Sequence, residues 1–206
     1  AVLTGQVQVI PDTHADAGVN VARGSLQLCG WRRVLVAPML GFLPAWAPAA
    51  AMHAGARLMA AMGDPRRTAW KWSERPRALP ADRIFLLTND AERYADEVWW
   101  RGNRPEIAMG PGSWGWVERA YASMRGLERR GVLERVAMPV LLLATDRDRL
   151  VDFRAIERAA RRLPRGELLR FGEEARHEIL REVDSVRERA LAGIDQFLDR
   201  AAPVGG

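Results

Sequence analysis

The sequence predicts an α/β protein whose strands run parallel, and three features of the chain predict it. From Pro139 onward, strand-like and helix-like stretches alternate: "PVLLLAT", "DFRAIERAARRL", "GELLRF", then a long closing helical run. Strand, helix, strand, helix in this order implies a parallel sheet joined by right-handed crossovers. Upstream, "RVLVAPMLGF" holds a short apolar run over 34–37 that Pro38 and Gly41 end, the pattern of a buried strand opening into a loop. Between the two regions, residues 42–130 abandon the alternation and carry several Pro-bounded helical segments, an apolar and aromatic insertion as a lid would be.

Within the insertion, residues 49–62 follow Pro48 and are rich in alanine and methionine, which predicts a helix. "DAERYADEVWWR" begins at Asp90, a good N-cap residue, and has helical spacing. A third helix is expected to start at Ser113 and to carry Trp116, Ala120, Met124 and Leu127 on one face. All eight tryptophans lie between Trp31 and Trp116. Beyond the insertion, Phe153, Ile156 and Ala160 should face inward from the helix after "PVLLLAT". The loop "ARHEIL" follows "GELLRF", and the last helix, over 179–200, aligns Val183, Val186, Ala190, Ile194, Phe197 and Leu198.

A chain of 206 residues with 48% hydrophobic and 28% charged residues is suited to one globular domain. The net charge of +5 arises almost wholly from arginine, Lys71 being the sole lysine, and the arginines alternate with Asp and Glu. No basic stripe is formed, so nucleic acid is not an expected partner. Cys29 is the only cysteine, which rules out an intramolecular disulfide and a thiolate metal cluster. A cytoplasmic location, or one peripheral to the inner membrane on its cytoplasmic side, is expected. No apolar run reaches the ~20 residues of a membrane span, and the first residues lack the basic-then-apolar order of a signal peptide. The chain begins with Ala1 and not Met, which suggests processing or truncation.

The chemistry concentrates in the βαβα tail. Asp148 follows "VLLLAT" and His177 follows "LLRF", each at the carboxyl end of a strand. Parallel strands bring those ends to one rim, where α/β proteins bind ligands. A carboxylate that holds an imidazole in the tautomer able to accept a hydroxyl proton is the acid and base portion of a Ser-His-Asp triad. Asp before His is also the chain order of α/β-hydrolases.

"MPVLLLATDRDRLVDF" followed by "LRFGEEARHEILREVDSVRERALAGIDQFL" resembles the C-terminal part of the lysophospholipase and monoacylglycerol lipase branch of the α/β-hydrolases, also grouped with serine aminopeptidase-like hydrolases. "APMLGF", "LLTNDAERYADEVWW" and "AMGPGSWGWVERAYASM" resemble that branch's lid region, so the likeness runs over 34–198. It implies an α/β-hydrolase fold incomplete at its N-terminus: one partial domain over 1–206, with a helical lid over 42–130. Carried over by motif, Asp148 matches the triad acid and His177 the base, while Asp146 and Asp152 are nearby alternatives for the acid. Glu178 is expected to cap or anchor the final helix. The implied activity is hydrolysis of a carboxylic ester, a lysophospholipid or monoacylglycerol, through an acyl-enzyme and with no cofactor.

The family's nucleophile lies in G-x-S-x-G, and the chain has no such motif. Ser113 in "GPGSWG" has Pro111 in place of the first glycine, and Ser25 in "ARGSLQLCG" has no glycine at the second place after it. Residues 1–32, where the nucleophile turn would fall, show neither the motif nor helical periodicity. The expectation is therefore a chain that carries acid and base without the serine and is inactive alone. The competing expectation is a non-catalytic remnant that binds lipid or a partner.

His53, in an alanine-rich helix, and His14 are expected to be structural. Asp146-Arg147-Asp148 could be read as a pair of metal carboxylates, but Arg147 and Arg149 would oppose a dication, and no metal is expected. Met39 and Phe42, just past a strand end, and Val151, beside the acid, are the substrate-binding candidates. The Trp and Met residues of the insertion are core and lid packing, with contact to an acyl chain or a membrane surface as their functional reading. The runs Arg129-Arg130 and Arg161-Arg162 are read as solvated helix faces.

Overall fold

The computed structural model describes residues 2–3, 6–7, 33–43, 47–69, 83–107 and 111–201. His14, Ser25 and Cys29 lie outside the described residues, as does most of the 1–32 stretch. Two short antiparallel strands, β1 (Val2–Leu3) and β2 (Gln6–Val7), precede the main sheet. That sheet is parallel, in the order β3 (Arg33–Val36), β4 (Val140–Thr145), β5 (Gly166–Phe171). Every residue of β4 is buried, because it is central and covered on both faces.

The alternation of a strand's side chains builds two cores from one apolar run. Leu141 and Leu143 join Val36, Phe171, Val186, Ala190 and Phe197 on the face covered by α6 (Asp184–Ala201). Val140, Leu142 and Ala144 join Val151, Ile156 and Ala160 on the face covered by α5 (Phe153–Arg162). The inward residues of α5 are as expected, with Phe153 half-buried beneath the Arg170 guanidinium. Gly166 is required where β5 begins, since a Cβ there would stand 2.6 Å from the carbonyl oxygen of Ala160.

The insertion contains α1 (Ala49–Ala61), the short α2 (Ile84–Leu87), α3 (Ala91–Asn103) and α4 (Trp114–Glu128). The caps match the chemistry of their residues: Asp90 accepts from the Arg93 N–H at 3.0 Å, and Ser113 from the Trp116 N–H at 3.1 Å. Ala120, Tyr121 and Met124 are the buried face of α4. Among the described residues, no helix is long and apolar enough to cross a membrane.

Three local features depart from expectation. β3 ends at Val36, and Ala37 turns out of it at φ 43°, strained for a residue with a Cβ and held by its N–H on the Leu143 carbonyl at 2.8 Å. The closing helix starts at Asp184, and Ile179–Arg181 form a 3₁₀ turn instead. The insertion supplies other partners there: the Thr88 hydroxyl donates to the Arg181 carbonyl at 2.8 Å and the Arg93 guanidinium to that of Glu182, which favours the irregular turn. Of the expected stripe, Val186, Ala190 and Phe197 are buried, while Val183 and Leu198 are exposed.

Candidate active site

The parallel register sets the ends of β4 and β5 side by side, with Thr145 opposite Phe171. The chain leaves β4 through a tight turn in which the Asp148 N–H reaches the Thr145 carbonyl at 3.4 Å. Asp148 then folds over its own loop: its Oδ1 accepts from the N–H groups of Leu150 at 2.8 Å and Val151 at 3.0 Å. This leaves Oδ2 aimed at His177 Nδ1, 2.7 Å away. Both side chains are buried, at 1% exposure for Asp148 and 5% for His177. An ionised carboxylate only accepts, so Nδ1 donates and, in the neutral ring, Nε2 carries the lone pair.

The other two aspartates are committed elsewhere. Asp146 pairs with Arg170 and Arg147, and Asp152 caps α5 by accepting from the Arg154 N–H at 2.9 Å. The structure thus brings Asp148 to His177 and neither alternative. Ser113 is occupied as the α4 cap. Glu178 does not cap the last helix: its carboxylate binds the Arg181 guanidinium at 2.7 Å. Burial, opposed by Arg181, pushes the Glu178 carboxyl above its ordinary value.

The acid loop is stapled to the segment that leaves β3. Phe42 and Val151 form an antiparallel bridge, the Leu43 N–H meets the Leu150 carbonyl at 3.2 Å, and the Asp152 N–H meets the Gly41 carbonyl at 2.9 Å. A Cβ on Gly41 would lie 3.0 Å from that of Ala155, so glycine permits this approach. Val151 is buried with Ile156, and Met39 packs half-buried on the same cluster. The Phe42 ring faces the insertion, 5.3 Å from Tyr121 edge-on and 5.8 Å from Trp116.

The His177 loop is pinned on two sides, which the sequence did not reveal. The Thr145 hydroxyl lies 3.0 Å from the carbonyls of both Gly172 and Ala175, either of which its single proton can serve. From the insertion, the carbonyls of Leu86 and Leu87 accept from the N–H groups of His177 at 3.4 Å and Glu178 at 2.8 Å. Glu97 gathers the guanidiniums of Arg83, Arg101 and Arg181 at 3.3, 2.6 and 3.2 Å, joining α3 to the same loop. His53 stands apart, between α1 and α4, with Glu118 at 3.2 Å from Nε2 and Arg125 at 2.8 Å from Nδ1.

Residues 27–184 match the family model described as serine aminopeptidase, S33. A curated relative, "Probable lysophospholipase L2" of Haemophilus influenzae, is 28% identical over 97 residues, covering 46% of this chain and 29% of its own length. Among solved structures, a soluble variant of monoglyceride lipase from Saccharomyces cerevisiae, in complex with a substrate analog, has a TM-score of 0.61 at 19% identity, covering 87% of this chain and 58% of that one. The monoacylglycerol lipase of Paleococcus ferrophilus has a TM-score of 0.57 at 20% identity, covering 82% and 58%. A carboxyl esterase from Bacillus coagulans has 0.56 at 16%, covering 82% and 56%. The chain spans less than two thirds of the length of each of these proteins. Together with the parallel sheet and its flanking helices, the match over 27–184 means that this chain belongs to the serine aminopeptidase S33 family of hydrolases and has the α/β-hydrolase fold.

Proposed function

We propose that this chain carries the acid and base of a Ser-His-Asp ester hydrolase acting on a lysophospholipid or monoacylglycerol, without the serine those groups serve. The observation that carries this reading is the buried 2.7 Å bond from His177 to Asp148, on a loop that spends the carboxylate's other oxygen on two backbone N–H groups. In that arrangement Nε2 takes the serine proton and later returns it to the leaving alcohol, and Asp148 orients the ring and stabilises the imidazolium. The lipid-like substrate follows from the lysophospholipase and monoglyceride lipase relatives. Met39 and Phe42 are the proposed lining beside the acid loop, with the Val151 backbone fixing that wall. The region over 42–130 is proposed as the lid. No cofactor enters this chemistry.

Hydrolysis of a short-chain p-nitrophenyl ester by the 206-residue chain, beside His177→Ala, tests the reading. Equal background rates are expected from both. Activity abolished in His177→Ala would place a nucleophile within these residues and keep the base. Activity above background that His177→Ala leaves untouched would sink the proposed role of His177.

A second reading, a lipid-binding remnant in peripheral contact with a membrane, draws on α3. Trp99 and Trp100 are exposed at 57% and 50% and lie edge to face 5.0 Å apart, beside exposed Val98. Tryptophan favours the membrane interface. Co-sedimentation with anionic vesicles that Trp99→Ala and Trp100→Ala abolish, in a chain with no esterase activity of its own, is the outcome that reading expects.

A further inference from the structure

The bonds around His177 converge on a carboxylate that the proton relay does not use. Glu182 has no exposed surface. Its Oε1 accepts from the Arg176 N–H at 2.6 Å and from the Asn89 side-chain amide at 3.3 Å, and its Oε2 accepts from the Asn89 N–H at 3.0 Å. A buried carboxylate is costly unless hydrogen bonds replace its water, and three donors do so here. One of them is the backbone N–H directly before His177. The other two come from residue 89, at the start of α3, which is 93 positions away in sequence.

Asn89 is bonded at both ends of its side-chain amide. Its amide nitrogen donates to Glu182 and, at 3.3 Å, to the Glu174 carbonyl, and its Oδ1 accepts from Arg176 Nε at 3.2 Å. The stretch 86–90 is therefore bonded to residues 174, 176, 177, 178, 181 and 182, on both sides of the histidine. Pinning both flanks of a loop fixes the direction in which its central side chain leaves the backbone. A Cα displaced by a fraction of an ångström would lengthen the His177–Asp148 bond and loosen the tautomer that it selects.

We infer that Glu182 and Asn89 are positioning residues for His177, a clamp between the start of α3 and the histidine loop that holds the imidazole on Asp148. The inference rests on the proposed base role of His177 for its functional meaning. Glutamine at 182 fills the same volume but replaces one acceptor oxygen with an NH₂ group, which then meets a donor. Alanine at the exposed Asn89 removes the amide bonds and keeps the backbone one.

The test is a long-range ¹H–¹⁵N spectrum of the full chain labelled at histidine, which resolves the tautomer of each of its three histidines. The parent is expected to show His177 as a single Nδ1–H tautomer and His53 as Nε2–H. In Glu182→Gln and Asn89→Ala, water exchange of the His177 Nδ1–H should quicken on the order of tenfold, as loss of a charge-assisted bond implies, with a second tautomer appearing. His53, between other helices, should not change. Unchanged His177 signals in both variants would overturn the clamp. So would parallel changes at His53 and His177, which mean general loosening. A parent spectrum without the His177 Nδ1–H tautomer would remove the proposed relay itself, and the clamp with it.

Discussion

His53 and His177 are both buried, and each has a carboxylate at one ring nitrogen. At His53 the second nitrogen is taken by Arg125, a donor with no acceptor capacity, so Nδ1 must accept and Nε2–H must donate to Glu118. Both nitrogens are then spent on joining α1 to α4. At His177 the carboxylate takes Nδ1–H, so in the neutral ring Nε2 carries the lone pair, and this is the nitrogen proposed above to move the proton. Two histidines of similar burial are held in opposite tautomers by the charge of their neighbours. The difference teaches that burial and a carboxylate partner do not by themselves fix a histidine's tautomer; it matters which ring nitrogen the carboxylate meets.

The widest gap between the two sites should appear when each carboxylate is removed. Asp148→Ala orphans the part-buried N–H of Leu150 and the buried Val151 N–H and His177 Nδ1–H, and is expected to destabilise by roughly 3–5 kcal/mol. Glu118, 20% exposed and bound to His53 at 3.2 Å, can be rehydrated, and Glu118→Ala should cost ~1 kcal/mol or less. Urea unfolding of the two variants measures the difference; equal losses would erase the contrast between a framework carboxylate and a helix-pairing one.

A smaller effect sharpens the same contrast from below the loop. Thr145→Val keeps the shape of the side chain but removes the hydroxyl that meets the Gly172 and Ala175 carbonyls and accepts the Arg147 N–H at 3.1 Å. The expected loss is about 1–3 kcal/mol, with broadened His177 resonances and an unchanged His53. Broadening at His53 as well would show that the two sites are not mechanically separate.

Residues that act through local pattern were legible in the sequence. The buried run at 140–145, the cap Asp90 and the helix start at Ser113 each follow from a few adjacent residues and hold in the structure, whereas the meeting of Asp148 with His177 was expected from the ends of two successive parallel strands. The clamp was not legible, because Asn89 and Glu182 meet across 93 positions and neither has a motif of its own. Arg162 makes the same point. It reads as part of a solvated helix face, yet it caps α4 by donating to the carbonyls of Leu127, Glu128 and Arg129 while binding Glu134. The start of the last helix was misjudged for a related reason, since Thr88 and Arg93 bond the carbonyls of Arg181 and Glu182, which precede it.

The pH dependence of the histidine loop separates burial from pairing. Burial raises the Glu178 carboxyl above its ordinary 4.5, Arg181 opposes this, and Glu97 adds to it. A raised carboxyl in the folded state means that folding favours the protonated form, so its contribution is fully present below about 4.5 and lost as pH rises through the folded value. Relative to Glu178→Gln, which does not titrate, the parent should therefore be more stable at pH 4 than at pH 7. Denaturation midpoints of both chains at the two pH values give the answer. A parent that gains nothing on acidification would mean that the 2.7 Å pair with Arg181 outweighs burial.

The mildest change should reverse the tautomer that distinguishes the two histidines. Arg125→Ala removes the donor that forces His53 Nδ1 to accept, at an exposed side chain whose loss should cost ~1 kcal/mol or less. Without that donor either nitrogen of His53 can bind Glu118 after a ring flip, and a Nδ1–H population should appear in the ¹⁵N-histidine spectrum. His177 has no such freedom, because its Nδ1 faces a carboxylate that its own loop holds in place. A His53 that stays wholly Nε2–H in Arg125→Ala would show that α1 and α4 fix the ring by packing, and that the tautomer at this site does not depend on the arginine.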